Sequence, residues 1–362
     1  MPDYYVGLMS GTSLDGVDAV IAAARGERLR FVEHLYLPYS AGLRERVLAL
    51  HESGEDELHR AALVGNELAA TYARAVRTLL ARSRVNAREV AAVGCHGQTV
   101  RHRPDAGYTT QLVNGALLAE LTGITAVCDF RSRDIAAGGE GAPLAPAFHE
   151  AMFRSRSQNR AIVNIGGIAN ITCLPARGKI TGSDCGPGNV LLDAWMHAKR
   201  GARFDRNGNW AASGRVIPPL LRDLRSHPFF RRRAPKSTGR EEFNLAWLRR
   251  SLAGGERAAD VQATLLELTA TTIAQALRAC RPPSREIYLC GGGARNGSLL
   301  ARLAALLPGK AVRATDALGI SAQHVEALAF AWLARQALRG KPGNVPSVTG
   351  AGLRVLGAIY RA

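Results

Sequence analysis

Lysine is scarce in this chain. Only five of its 362 residues are lysine (Lys179, Lys199, Lys236, Lys310 and Lys341), yet lysine and arginine together number 47 against 30 acidic residues, a formal net charge of +17. The positive charge is therefore almost all arginine, spread along alanine-rich, helix-like segments rather than gathered on one face. A concentrated basic face would attract phosphate backbones. The densest run, Arg231-Arg232-Arg233 after Phe229 and Phe230, has no RNA-binding motif around it and reads as solvated surface. The six cysteines (Cys95, Cys128, Cys173, Cys185, Cys280, Cys290) include no CxxC pair and no histidine at zinc-site spacing, so reduced thiols without a metal are expected. No uninterrupted apolar run approaches the roughly 18 residues that span a bilayer, and no basic segment precedes an apolar stretch at the N-terminus. The expected compartment is the cytoplasm, with neither membrane nor nucleic acid as a partner. A GxxxxGK[ST] sequence is also missing, which excludes the P-loop way of holding a nucleotide.

What is present is ample material for buried cores: 47% hydrophobic residues against 21% charged. A chain of this length exceeds what one core usually organises, so two lobes are expected. Period-two apolar runs predict strands near 4–8, 17–24 and 29–36, followed by helices over about 41–52 and 56–83 and a strand over 91–95. Residues 109–128 read as strand, short helix, strand. The glycine- and charge-rich stretch 131–141 reads as a hinge. Beyond it the scheme repeats, with strands at 160–165 and 168–173, a helix after Gly188, a helix near 259–280, a strand at 287–290 and a last helix over about 322–338.

Two glycine-rich turns stand at matching points of the two halves, Met9-Ser10-Gly11-Thr12-Ser13-Leu14-Asp15-Gly16 and Asn164-Ile165-Gly166-Gly167-Ile168-Ala169-Asn170. Each joins two β-branched, apolar runs, the pattern of a hairpin whose tip brings main-chain N–H groups close to an anion. In the first turn the hydroxyls of Ser10, Thr12 and Ser13 can add hydrogen bonds, and Asp15 or Asp18 can hold a magnesium ion through water. A third loop, Cys290-Gly291-Gly292-Gly293-Ala294-Arg295-Asn296-Gly297, follows an apolar strand and opens a helix, a place for a nucleotide against bare backbone. Downstream of the second turn, Asp184 sits among turn-formers in Gly182-Ser183-Asp184-Cys185-Gly186-Pro187-Gly188-Asn189, where one carboxylate can do chemistry.

The order hairpin, hairpin, strand-to-helix resembles the actin, hexokinase and Hsp70 superfamily, in which two ribonuclease-H-like lobes close on ATP. Within it, Gly7-Leu8-Met9-Ser10-Gly11-Thr12-Ser13-Leu14-Asp15-Gly16-Val17-Asp18 is similar to the opening signature of the anhydro-N-acetylmuramic acid kinase family. So are Cys95-His96-Gly97-Gln98-Thr99, the second turn, Asp184 to Asn189, Lys236-Ser237-Thr238-Gly239-Arg240-Glu241 and Glu326-Ala327-Leu328-Ala329-Phe330-Ala331, all in family order. The family usually has threonine after the catalytic aspartate, where this chain has Cys185, a weaker hydrogen-bond donor.

The resemblance implies an α/β fold of two ribonuclease-H-like lobes with an interlobe cleft. An N-terminal lobe is expected over 1–130 and a C-terminal lobe over 131–338, with 339–362 packing back on the first. The implied reaction uses ATP and magnesium to phosphorylate O6 of 1,6-anhydro-N-acetylmuramic acid while water opens the anhydro bridge, as part of peptidoglycan recycling; a homodimer is admitted. Asp184 matches the family's base. ATP would meet Gly11 to Asp18 (with Leu14, Gly16 and Val17 inside that signature), Gly166, Gly167 and Gly291, Gly292 and Gly293. The sugar would meet His96, Gln98, Thr99, Arg131, Asp134 and Glu326, with Arg131 suited to its carboxylate and Glu326 to a hydroxyl. A hexose or amino-sugar kinase of the same fold is the alternative enzyme. An Hsp70-like binding module would need a further peptide-binding domain, and an actin-like filament would turn over ATP with protein concentration rather than with an amino sugar.

Overall fold

The computed structural model describes residues 4–11, 14–234 and 236–362. The chain forms two compact units, one made of 1–152 with 324–362 and the other of 153–323. In the first, β1 (Tyr4–Met9), β2 (Gly16–Arg25) and β3 (Arg28–Pro38) form an antiparallel meander, followed by α1 (Ala41–Ala49) and α2 (Glu57–Ser83). Then come β4 (Val90–Cys95), a separate hairpin of β5 (Gln98–Arg103) and β6 (Tyr108–Leu112), α3 (Gly115–Thr122), β7 (Ala126–Cys128), α4 (Ser132–Ala136) and α5 (Ala145–Phe153). The second unit begins with another meander, β8 (Arg160–Ile165), β9 (Ile168–Leu174) and β10 (Thr181–Pro187), and continues through α6 (Val190–Arg200), α7 (Asn209–Ala212), α8 (Pro218–Arg225), α9 (Leu245–Ser251) and α10 (Ala258–Ala279). It closes with β11 (Glu286–Cys290), α11 (Gly297–Leu306) and β12 (Ala311–Ala314). The chain then returns to the first unit as α12 (Val325–Leu338), α13 (Pro346–Thr349) and β13 (Ala358–Tyr360).

The two sheets repeat one topology. The first runs β13-β7-β4-β1-β2-β3 and the second β10-β9-β8-β11-β12. In each, the meander strands pair antiparallel, and the meander's first strand pairs parallel with the next strand after a helical crossover: β1 with β4, β8 with β11. Local sequence explains the elements. Along α2 the buried residues Val64, Leu68, Tyr72, Val76 and Leu80 recur every fourth position, a stripe that faces the core. In α10 the burial runs almost all round, from Val261 to Leu277, which makes that helix part of the second unit's core.

The division of the chain differs from the expected one. Residues 131–152 and α12 belong to the first unit, so the boundaries fall at 152/153 and 323/324 rather than at 130/131 and 338/339. The reason lies in two glycines. Gly7 and Gly94 are paired across β1 and β4, and a Cβ on them would lie 1.9 Å from the Ala327 carbonyl and 2.0 Å from the Phe330 carbonyl. The backbone of the alanine-rich α12 therefore rests directly on these strands. The stretch 131–141 is not a hinge between units either: Asp134 is fully buried, and its carboxylate accepts from the Gly141 N–H (2.9 Å), Asn344 (2.7 Å) and Thr349 (2.8 Å), all in the first unit. Residues after α12 end in β13, which pairs with β7.

Two smaller expectations also change. The last helix starts at Val325, not 322. The thiols are not all reduced: Cys173, near the end of β9, is joined to Cys280, the residue that closes α10, with Cα atoms 5.9 Å apart, a separation a disulfide spans. Cys95, Cys128, Cys185 and Cys290 are buried outside this disulfide. Among the described residues no helix is long and apolar enough to cross a membrane.

Candidate active site

In the first unit the glycine turn between β1 and β2 is anchored by Ser10, which is 2% exposed. Its hydroxyl donates to Gln98 Oε1 and accepts from the Tyr39 hydroxyl at 2.6 Å, and Tyr39 in turn meets Tyr72 at 2.9 Å. Gln98 reaches back through Nε2 to the Gly11 carbonyl at 3.3 Å. His96 follows β4, held by its own N–H on the Leu8 carbonyl. Arg131 approaches His96 Nε2 with Nε at 3.2 Å and a terminal nitrogen at 2.9 Å. A guanidinium only donates, so Nε2 is the acceptor and the ring proton sits on Nδ1, which donates to the Ser10 carbonyl at 3.1 Å. Burial, reinforced by the Arg131 charge, lowers the His96 pKa to about 3 and keeps the ring neutral. Arg131 also donates to the Gly141 carbonyl at 2.9 Å.

One network thus joins the first turn, Gln98, His96 and Arg131. The remaining predicted positions of this unit have other settings. Thr99 accepts from Gln111 within the β5–β6 hairpin at 3.3 Å, and Glu326 is half-buried in the first turn of α12. Asp134 is wholly engaged in tying down the segment behind Arg131. Leu14 and Val17 are in the core at 1% and 0% exposure, while Thr12 and Ser13 lie outside the described residues. Asp18 Oδ1 is 3.0 Å from His34 Nε2, with 41% of the aspartate side chain exposed. The Asp15 carbonyl accepts from the Tyr36 hydroxyl. Among the described residues no three acidic, histidine or cysteine side chains are grouped to hold a metal.

The second unit brings the other loops together. At the tip of β8–β9 the carbonyls of Gly166 and Gly167 accept the N–H groups of Asn189, Gly188 and Val190 at 2.8 to 3.0 Å, so the β8–β9 turn and the start of α6 are locked to each other. A Cβ on Gly188 would stand 2.4 Å from the Gly166 carbonyl. The loop after β11 packs on the same place: a side chain on Gly293 would lie 2.3 Å from Ile165 Cγ2, and Gly291, at φ +79°, would meet Asn164 Oδ1 at 2.4 Å. Close backbone approach, rather than flexibility, is what these glycines supply.

Asp184 lies in a strand, not in the turn its neighbours suggested. It is 9% exposed in β10, an edge strand covered by the segment that starts at Lys236: the Asp184 N–H donates to the Lys236 carbonyl (3.0 Å), and the Thr238 N–H donates to Asp184 Oδ2 (2.9 Å). The Thr238 hydroxyl donates to Glu242, which has Arg232 at 3.7 Å and His227 at 3.8 Å. Gly186, at φ +135°, leaves room for the Phe230 ring, which a Cβ would reach at 2.7 Å. Lys236 donates to the Phe229 carbonyl at 3.1 Å and sits over its ring; burial lowers its pKa. Cys185 is buried, and burial beside Asp184 raises its pKa, so it is a neutral thiol. Sequence reasoning gave no role to Thr238 and Glu242. The motif Lys236 to Glu241, which contains Thr238 and ends just before Glu242, was visible, but nothing in it told that the backbone would fold onto β10.

Paired three-strand meanders with crossover strands and glycine turns at equivalent tips define a two-lobed, ribonuclease-H-like ATPase fold of the actin, hexokinase and Hsp70 type. Component A of the (R)-2-hydroxyglutaryl-CoA dehydratase of Acidaminococcus fermentans shares that fold, with a TM-score of 0.50 at 13% identity over 91% of this chain and 96% of its own. The sequence model of anhydro-N-acetylmuramic acid kinase matches residues 3–362. Kinases of that name from Nitrosomonas europaea and Nitrosospira multiformis are 58% and 56% identical, covering 99% of this chain and 100% and 99% of theirs. The chain belongs to the anhydro-N-acetylmuramic acid kinase family.

Proposed function

We propose that this member of the family is an ATP-dependent kinase that hydrolytically opens 1,6-anhydro-N-acetylmuramic acid and phosphorylates O6, giving N-acetylmuramic acid 6-phosphate and ADP in peptidoglycan recycling. The observation that supports it most is the setting of Asp184: a single carboxylate, nine-tenths buried, fixed by a main-chain N–H on the same sheet whose turns hold the second and third glycine loops. Water attacking the anomeric carbon must lose a proton as O6 leaves toward the γ-phosphorus, and a fixed carboxylate is suited to take it.

The other roles follow from chemistry. The N–H groups of the Gly11 and Gly166–Gly167 turns and the Gly291–Gly293 backbone meet the nucleotide. Arg131, held in position by neutral His96, pairs with the sugar's lactyl carboxylate; Gln98, Thr99 and Glu326 meet its hydroxyl and amide groups. Asp134 stiffens the loop behind Arg131. Magnesium neutralises phosphate charge when bound; half-exposed Asp18, with Asp15, fits a carboxylate that meets a hydrated ion through water rather than an all-protein cage. ATP as cosubstrate supports a cytoplasmic enzyme.

The test is incubation with ATP, magnesium and the anhydro-sugar in ¹⁸O-water, with products identified by mass. The expected product carries one phosphoryl group and one labelled oxygen at C1. Phosphorylation of a sugar hydroxyl without label or ring opening would instead favour a plain amino-sugar kinase.

A further inference from the structure

Beside Asp184 lies a buried amide oxygen that no described residue meets. Asn170 of β9 pairs in register with Asp184 of β10 on one side and with Asn164 of β8 on the other. Directly paired residues of antiparallel strands place their side chains on one face, with Cβ atoms about 4.5–5.5 Å apart. The three residues therefore form a polar row. Both ends are engaged: Asp184 Oδ2 accepts from the Thr238 N–H, and Asn164 Oδ1 accepts from the Cys290 thiol at 3.7 Å, beside the Gly291 loop. The middle is different. Asn170 Oδ1 is buried and has no hydrogen-bond partner among the described residues. A buried amide oxygen without a donor is rare, and calls for a ligand or a water to complete it.

We propose that Asn170 Oδ1 accepts a hydrogen bond from the second O–H of the water that attacks C1, an assignment that rests on Asp184 being the base. Water has two protons and a carboxylate takes one. As the water oxygen bonds to C1, the C1–O6 bond breaks and its electron pair moves to O6, which receives the γ-phosphoryl group while ADP leaves. One proton ends on Asp184; the other stays on the new C1 hydroxyl, donated to Asn170 Oδ1. Two acceptors of one water lie about 4.5 Å apart when each bond is near 2.8 Å, a separation that side chains rising from Cβ atoms about 4.5–5.5 Å apart on one face can present. Gripped from both, the water keeps a lone pair aimed away from the sheet, toward the sugar.

Methanol tests this directly because it has a single hydroxyl proton. In mixed methanol and water, the wild type should favour water, since methanol leaves Asn170 unfilled. Asn170→Leu and Asn170→Ala remove the acceptor; hydrolytic kcat should fall about 10- to 100-fold, the loss of one strong hydrogen bond in the transition state. The ratio of methyl glycoside 6-phosphate to N-acetylmuramic acid 6-phosphate should rise by a similar factor. Asn170→Asp retains an acceptor oxygen and should keep the wild-type ratio. Single turnovers with excess enzyme, read by mass, keep the ratio measurable at the lower rates. An unchanged ratio in the Leu and Ala variants, or an effect confined to the KM for ATP or to the magnesium dependence, overturns the assignment. Asp184→Asn assayed in parallel separates the two readings. If it is inactive while the Leu and Ala variants keep wild-type rate and ratio, only the role of Asn170 falls; if it turns over normally, the base falls and this role with it.

Discussion

Replacing Asp184 by asparagine and by alanine should separate its chemical role from its structural one. Asp184 Oδ2 accepts the Thr238 N–H at 2.9 Å in a position only 9% exposed. Asparagine keeps an acceptor oxygen and the same volume, so Thr238 stays paired and the fold should be unaffected. It cannot take a proton from water, and turnover should drop by about 10²- to 10⁴-fold, roughly 3–5 kcal/mol of transition-state stabilisation. Alanine removes the acceptor as well, leaving the Thr238 amide short of a partner, and should cost an additional 1–3 kcal/mol or so of stability. ADP release gives the rate, urea unfolding gives the stability, and titration calorimetry with a non-hydrolysable ATP analogue shows whether nucleotide binding persists. An Asn variant within a few-fold of wild-type turnover would refute the reasoning, whatever the alanine variant did.

Acid should destabilise the protein through three histidines. His96 and His149 both have pKa values lowered to about 3, and His102 is lowered to about 4, in each case mainly by burial. As pH falls below 6.5 the unfolded chain takes up a proton at each before the folded chain does, so stability is lost, by about 2 kcal/mol per histidine at pH 5. His149→Phe should cut that slope by about a third in urea unfolding; an unaltered slope would show that His149 is not held neutral. Arg131→Ala should raise the KM for the anhydro-sugar about tenfold or more with kcat largely kept, because it removes binding to a group remote from the bonds that change; an unchanged KM would leave Arg131 a purely structural anchor. Gly188→Ala, whose Cβ would meet the Gly166 carbonyl at 2.4 Å, should cost about 1–3 kcal/mol of stability and weaken ATP binding. Gly166→Ala meets nothing closer than 3.6 Å, so it should leave stability alone and raise the KM for ATP; a normal KM would remove the phosphates from that turn.

Each of the core meander strands β1, β2, β3, β8 and β9 was legible as an apolar, β-branched run, and the long helices α2 and α10 by their length. Their apolar patterning is local and needs no partner to be read. The glycine turns were legible for the same reason, since only certain residues fit a hairpin tip. β10 was not. Its sequence, TGSDCGP, looks like a turn, and it survives as a strand because it is an edge, where glycine and a terminal proline cost no interior ladder bonds. β12 and β13, also edges and only 4 and 3 residues long, left no periodicity to find.

The sequence by itself determined the repeated meander, the glycine turns, the candidate base and, through motifs spread from residue 7 to 331, the family. Tertiary structure alone decided which lobe owns α12, because that depends on a helix backbone lying on Gly7 and Gly94, strand positions more than 200 residues away from it in the chain. It likewise decided that Thr238 donates to Asp184 across 54 residues, that Arg131 rests on a neutral His96, and that Cys173 meets Cys280 across 107. A residue's own preferences and those of its near neighbours fix an element's type. Contacts between distant segments depend on how those elements stack, and no local pattern encodes which backbone will cover which strand.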